Sequence, residues 1–378
     1  MKWVTIQGNA MSFTPPNPAI YAKDITLRYP IFVPFDGDKI RITLDNFCCD
    51  EDVSITSVCI AKGRGISDEQ GEVTYLTFNN NRQVTIKAHQ SIKSDPINYS
   101  LKSDEYIIVN IYLQDYTNLT SGVFVSGPLS KGYYALKNQS EKNKLDINTS
   151  KSISIVYFLS NIDIYTSDHN YSIICYGDSI TSGDWPDYLL LSLRENNIKN
   201  ISIIRKAVSG TRILRQYDCL TYQSYGLKGK NRFIHEISSV SGAKDIIIQH
   251  GINDIIHPVG IDINIFRPLS DLPTLNDLIE GLNYYLNESK KLGLNTYLGT
   301  LLPINGWRTF NSSKEELKNQ FNEYIISFPN HINFNQLLSD LKNQTFTFKE
   351  GFDSGDHLHP SKLAYQEMGK FVSRKIIK

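Results

Sequence analysis

Three short strings in the second half of the chain carry side chains that acyl transfer to water requires. Tyr176-Gly177-Asp178-Ser179-Ile180-Thr181 offers a hydroxyl nucleophile in a tight turn. Gly251-Ile252-Asn253-Asp254 offers a side-chain amide. Asp356-His357-Leu358-His359-Pro360 offers a carboxylate and an imidazole three residues apart. Ester hydrolysis needs an attacking oxygen, a base held by an acid, and donors for the oxyanion. Alone, Gly-Asp-Ser favours a helix N-cap serine and Asn253 reads as a turn former; the combination and its order make the case.

The roles follow from residue chemistry. Ser179 comes after an apolar run and before a helix, so a helix N-terminus favours charge developing at its hydroxyl. His359 is expected to be the general base, with Asp356 orienting its other ring nitrogen, and His357 a bystander. Asp178 is expected to anchor the turn through backbone amides, with a role as base the alternative. The side-chain amide of Asn253, the backbone N–H of Gly210 in Ala207-Val208-Ser209-Gly210-Thr211, and the backbone N–H of Ser179 are the expected oxyanion donors. His250 reads as a structural histidine. A metal reading of Asp353, Asp356, His357 and His359 finds no supporting group elsewhere at ligand spacing. No metal or cofactor is required. Trp185, six residues past the nucleophile, either lines the site as a tentative substrate-binding residue or fills the core beneath it.

The surrounding elements change character near residue 170. Before it, short alternating runs at 25–33, 39–44, 53–60, 73–78, 84–87, 106–113, 122–125 and 153–158 alternate with turn residues, which predicts an antiparallel β-sandwich. After it, strands near 172–176, 201–208, 245–249, 295–302 and 332–334 alternate with helices after Pro186 and near 233–240, 275–292, 313–326 and 361–376, with Pro360 in the first turn of the last. That alternation predicts a parallel sheet covered on both faces, with ligands at the carboxyl ends of its strands. Ser179, Gly210 and Asn253 all fall just past such ends. Two domains are expected, a jelly-roll-like sandwich over 1–168 and a catalytic α/β domain over 169–378.

Composition bounds the function classes. The chain has 378 residues, equal numbers of basic and acidic side chains and a formal net charge of zero. That balance argues against a general nucleic-acid binder. No apolar run reaches transmembrane length, and the N-terminus lacks a signal-peptide pattern, so a cytoplasmic location is expected. Cys48, Cys49, Cys59, Cys175 and Cys219 have neither zinc spacing nor an even count, which reads as free thiols.

With these strings in place, the segment from about 171 to 376 resembles the SGNH hydrolases, a branch of the GDSL esterase/lipase superfamily. Gly-Asp-Ser-Ile-Thr is similar to the family's first block, Ala-Val-Ser-Gly to the second, Gly-Ile-Asn-Asp to the third and Asp-His-Leu-His-Pro to the last. Ala207 stands where many members have glycine. The preceding segment is similar to sandwich domains of some bacterial members, through Arg28, the Gly37 turn, Arg41-Ile42-Thr43-Leu44-Asp45-Asn46 and Ser94-Asp95-Pro96. The resemblance implies a flavodoxin-like sheet and a serine esterase acting through an acyl-enzyme on a small-molecule or oligosaccharide ester, with an acetyl group on carbohydrate favoured. A lysophospholipase, an acyl-thioesterase or an acyltransferase would use the same residues.

Overall fold

Alternating apolar residues in the first part of the chain build two large antiparallel sheets. The computed structural model describes residues 1–14, 21–342 and 345–377. One sheet runs in the order Lys2–Gly8, Leu159–Thr166, Gly37–Asp45 and Ser91–Lys93, with Ile97–Leu101 also paired to Gly37–Asp45. The other runs Ser150–Ile153, Gly132–Leu136, Ile25–Phe32, Tyr106–Leu113, Ser57–Gly63 and Gln70–Leu76. Alternate residues of both sheets, among them Val4, Ile42 and Ile164 on one and Leu27, Val109 and Ile111 on the other, enter a single hydrophobic core. On the opposite face of the second sheet Arg28 is buried. Its guanidinium donates to Asn110 Oδ1 at 2.7 Å and to the carbonyls of Asp68 and Gln139 at 2.7 and 2.9 Å. Those bonds satisfy a cation that burial would otherwise make costly.

The later strands form one sheet in the order Ile201–Ala207, Tyr171–Gly177, Ala243–Gln249, Asn295–Gly299 and His331–Ile332. In sequence this is 2-1-3-4-5, the flavodoxin-like order, whose switch point lies between the first and third strands. The buried runs Ile173–Gly177 and Ile246–Gln249 explain why these strands read as continuous apolar stretches. Helix Trp185–Glu195 packs with Lys362–Ile376, and Leu275–Lys291 packs with Gly229–Ser238 and Ser312–Ile326, giving helical cover to both faces. By compactness Met1–Ser172, Asn197–Ile204 and Val240–Ala243 form one unit, and Ile173–Asn196, Arg205–Ser239 and Lys244–Lys378 form the other.

Of the boundaries that differ from expectation, three are set by a polar side chain. The fourth parallel strand stops at Gly299 because Asn322 takes over the backbone of Leu301, accepting its N–H at 2.7 Å and donating to its carbonyl at 2.9 Å. Phe334 opens a short helix instead of ending a strand, since Asn333 caps it by accepting from Gln336 N–H at 3.0 Å. Pro360 lies outside the last helix, because Ser361 is its N-cap and accepts from Ala364 N–H at 3.2 Å.

Candidate active site

The turn that carries Ser179 is built from buried parts. Strand Tyr171–Gly177 ends at a glycine whose place admits no side chain, since a Cβ there would run into the Gln249 carbonyl and the Thr181 hydroxyl. Asp178 caps the one-turn helix Ser179–Ser182, accepting from Ile180 N–H at 3.1 Å. Burial pushes its carboxyl up to about 7, despite that hydrogen bond. The Gly177 carbonyl is held from the other side by Arg232 Nη2 at 2.9 Å, and Arg232 pairs with Glu236 at 2.5 Å inside the core. Ser179 itself is half-buried.

The last block reaches this serine from the far end of the chain. Ser179 Oγ lies 2.9 Å from His359 Nε2, and His359 Nδ1 lies 2.6 Å from Asp356 Oδ2. Asp356 Oδ1 accepts from the backbone N–H of Leu358 and His359 at 3.0 and 2.8 Å and from the Ser354 hydroxyl at 3.1 Å. One carboxylate therefore closes the tight loop with one oxygen and holds the imidazole with the other. Partial burial raises the Asp356 carboxyl, but the hydrogen bonds from the His359 ring and from the two backbone amides outweigh it, leaving it at about 2. His357 sits at φ 65° and turns away to Asp353, Nδ1 to Oδ2 at 2.5 Å. The two histidines thus engage separate carboxylates, and only His359 meets the serine.

Hydrogen bonds tie the second and third blocks to this pair. Val208 N–H donates to the Gly177 carbonyl at 3.2 Å, and the hydroxyls of Ser182 and Ser209 are 2.9 Å apart. Gly210 adopts φ 79°, and a Cβ there would enter the ring of Tyr225. Asn253, buried in helix Ile252–Ile256, donates one amide hydrogen to the Thr211 carbonyl at 3.0 Å, which leaves the other hydrogen for an oxyanion. His250 Nε2 meets the same carbonyl at 3.2 Å; a carbonyl only accepts, so Nε2 is protonated and Nδ1 accepts from the Tyr285 hydroxyl at 3.0 Å. His250 is buried and structural, with burial holding it well below its ordinary range.

Several site residues were not singled out from the sequence. Asp254 is buried and accepts from Ile213 and Leu214 N–H at 2.7 and 3.0 Å, clamping the chain just past Gly210. Its place beside Asn253 was the available signal. Trp307 stands edge-on to His359, ring centres 6.5 Å apart. Trp185, the tentative substrate-binding residue, has no exposed surface; its ring packs 5.7 Å from that of Phe334. Of its two readings, the core one describes its position.

The model of the family described as GDSL-like lipase/acylhydrolase matches residues 173–372. The chain belongs to this hydrolase family. A comparison with curated proteins finds no match. Among solved structures, the chain is similar to a GDSL-like lipase from Bacteroides thetaiotaomicron, with 15% identity, 56% of this chain and 90% of that chain covered, and a TM-score of 0.42. It is also similar to a G-D-S-L family lipolytic protein from Desulfitobacterium hafniense, with 19% identity, coverage of 55% and 99%, and a TM-score of 0.39. An acetylxylan esterase from Geobacillus stearothermophilus gives 16% identity, coverage of 55% and 94%, and a TM-score of 0.39.

Proposed function

We propose that the protein is a serine esterase that cleaves small acyl esters, acetyl esters of carbohydrates foremost, through an acyl-enzyme. The observation that carries this reading is the continuous relay from Ser179 Oγ through His359 to Asp356, at 2.9 and 2.6 Å. His359 Nε2 takes the Ser179 proton as Oγ bonds to the ester carbonyl carbon, and Asp356 steadies the resulting imidazolium. The backbone N–H groups of Ser179 and Gly210 and the free amide hydrogen of Asn253 receive the oxyanion. His359 returns the proton to the leaving alcohol as the carbon–oxygen bond breaks. Water, deprotonated by the same imidazole, then attacks the acyl-serine, and the acid leaves as the serine regains its proton.

Two aromatic residues support a compact acyl group and a ring-shaped alcohol. Tyr225 closes against Gly210, and Trp307 borders His359, the residue that must face the leaving oxygen. A lipid-like substrate is the second reading, favoured by the exposed Ile261, Ile263, Ile265 and Phe266 in one loop. Turnover of 4-nitrophenyl esters from acetyl to dodecanoyl, alongside acetylated oligosaccharides, separates the two. Rates that fall with chain length are expected. Rates that climb with it move the assignment to a lysophospholipase or thioesterase. Labelling by a fluorophosphonate anywhere but Ser179 removes the serine mechanism.

A further inference from the structure

Beyond Gly210 and Asn253 the chain gathers aromatic rings and cations that the hydrolytic steps do not use. Tyr225, whose ring lies on Gly210, stacks on His257 with centres 5.1 Å apart. His257 directly follows the helix that carries Asn253, and its N–H donates to the Asn253 carbonyl at 3.2 Å. Its Nδ1 lies 3.1 Å from the Tyr217 hydroxyl. The cluster is therefore continuous with both expected oxyanion donors.

Arg267 is the unusual member. It is 7% exposed, yet no carboxylate pairs with it among the described residues. Its guanidinium lies 4.5 Å from the centre of the Tyr222 ring and 5.9 Å from that of Tyr225. Its Nη2 reaches the Tyr225 hydroxyl at 3.4 Å, and its Nε has no acceptor. Asp271, the acid of the following turn, is taken by Arg212 at 3.2 Å and Arg215 at 3.8 Å. A buried guanidinium with open donors is costly unless an anion meets it. Further cations lie near it. Burial first, and then Arg267, Arg212, Arg308 and Lys314, hold His257 well below its ordinary range. Arg308 also lies over Trp307, at 4.8 Å from the ring centre, and Trp307 borders His359. Cations thus lead from His359 round to Gly210.

We propose that this cluster is an anion subsite of the reaction centre, where Arg267 and the Tyr225 hydroxyl receive a carboxylate or phosphate carried by the ester substrate. The proposal rests on the esterase reading above. It adds that the preferred esters are charged. A uronic acid ester and a phosphoglycerol ester would both supply that group.

The test compares hydrolysis of 4-acetoxybenzoate with that of neutral 4-acetoxybenzamide, each rate normalised to spontaneous hydrolysis. The expected result is a preference for the benzoate in kcat/KM on the order of tenfold, in line with a charge-assisted hydrogen bond, shrinking as salt is added. Inorganic phosphate should inhibit benzamide hydrolysis competitively. Arg267→Met should lower the benzoate-to-benzamide ratio, and Arg308→Gln, at an exposed position, should lower it by less while keeping the fold. A wild-type ratio near one without phosphate inhibition overturns the subsite, as does a ratio that neither variant moves. Failure to hydrolyse either ester counts against the esterase reading instead. Calorimetric titration of Ser179→Ala with phosphate then decides the subsite alone, binding supporting it and no binding overturning it. Acetylated methyl glucuronide and acetylated glycerol phosphate, as substrates, separate the sugar and lipid sources.

Discussion

Two sets of aspartates serve this site, and they are held in opposite ways. In the C-terminal loop Asp356 is 41% exposed at its side chain, and the hydrogen bonds converging on it hold its carboxyl at about 2. Under the strand ends Asp178 and Asp254 are buried, and burial pushes them up to about 7 and about 6. In the proposed relay the Asp356 carboxylate has to be ionised to stabilise an imidazolium, which its exposure and its hydrogen bonds favour. The buried pair caps and clamps backbone turns. The chemistry and the scaffold therefore fail differently when their aspartates are changed.

The largest effects belong to the relay. Ser179→Ala and His359→Ala should each lower kcat by roughly three to six orders of magnitude with the thermal midpoint little changed, because few packing atoms are lost. His357→Ala should keep activity within about threefold, since its exposed pair with Asp353 contributes little. Steady-state rates with circular dichroism on all three proteins check this. Loss of turnover in His357→Ala with a working His359→Ala would reverse the assignment of the base.

Asp356→Asn should follow at roughly two to four orders of magnitude in kcat, the cost of a wrong imidazole tautomer. Asp353→Asn is the control, because its partner His357 does not meet the serine. Equal losses in the two asparagine variants would show that the loop's shape, rather than the charge at His359, sets the rate.

Much of this contrast was legible in the chain. The proposed nucleophile, base and acid, Ser179, His359 and Asp356, sit in strings whose residue types state their chemistry, and the strand–helix alternation set Ser179, Gly210 and Asn253 at one sheet edge. What stayed hidden depends on partners far away in sequence. Asp254 looks like any helix-start acid until Ile213 and Leu214 present their amides to it. No local signal sets Arg232 and Glu236 apart, yet both are buried and paired with each other, and Arg232 donates to the Gly177 carbonyl. Trp185 is near Ser179 in sequence but belongs to the core, because the helix it opens turns it onto Phe334. Trp307 and Tyr225 carry no local signal at all, since only the fold brings their loops to His359 and Gly210.

On the scaffold side, Asp254→Ala strands two backbone N–H groups in the interior. Each such group costs about 1–3 kcal/mol, so chemical denaturation should show a loss of about 2–6 kcal/mol, with Asp356→Ala losing less. If Asp356→Ala is the more destabilising, the division between chemical and structural aspartates is wrong.

The smallest effect is the most specific. Asp178 is expected to titrate near 4 when the chain is unfolded, against about 7 in the fold. Between those values the folded protein keeps a proton that the unfolded chain has released, so stability falls as pH rises through that window. Below it both states are protonated, and the contribution is fully present. Above it both are ionised, and the contribution is gone. Asp178→Asn retains an oxygen for the Ile180 N–H and cannot ionise. The thermal midpoint of the variant should therefore gain on that of the wild type as pH climbs from about 4 to about 7, and the gap should then level off. Asp254 titrates within the same window, so the difference between the two proteins is the quantity to read. A gap that stays constant across the range would mean that Asp178 is ionised throughout, and that the buried aspartate at the nucleophile's turn is held no differently from the exposed one at His359.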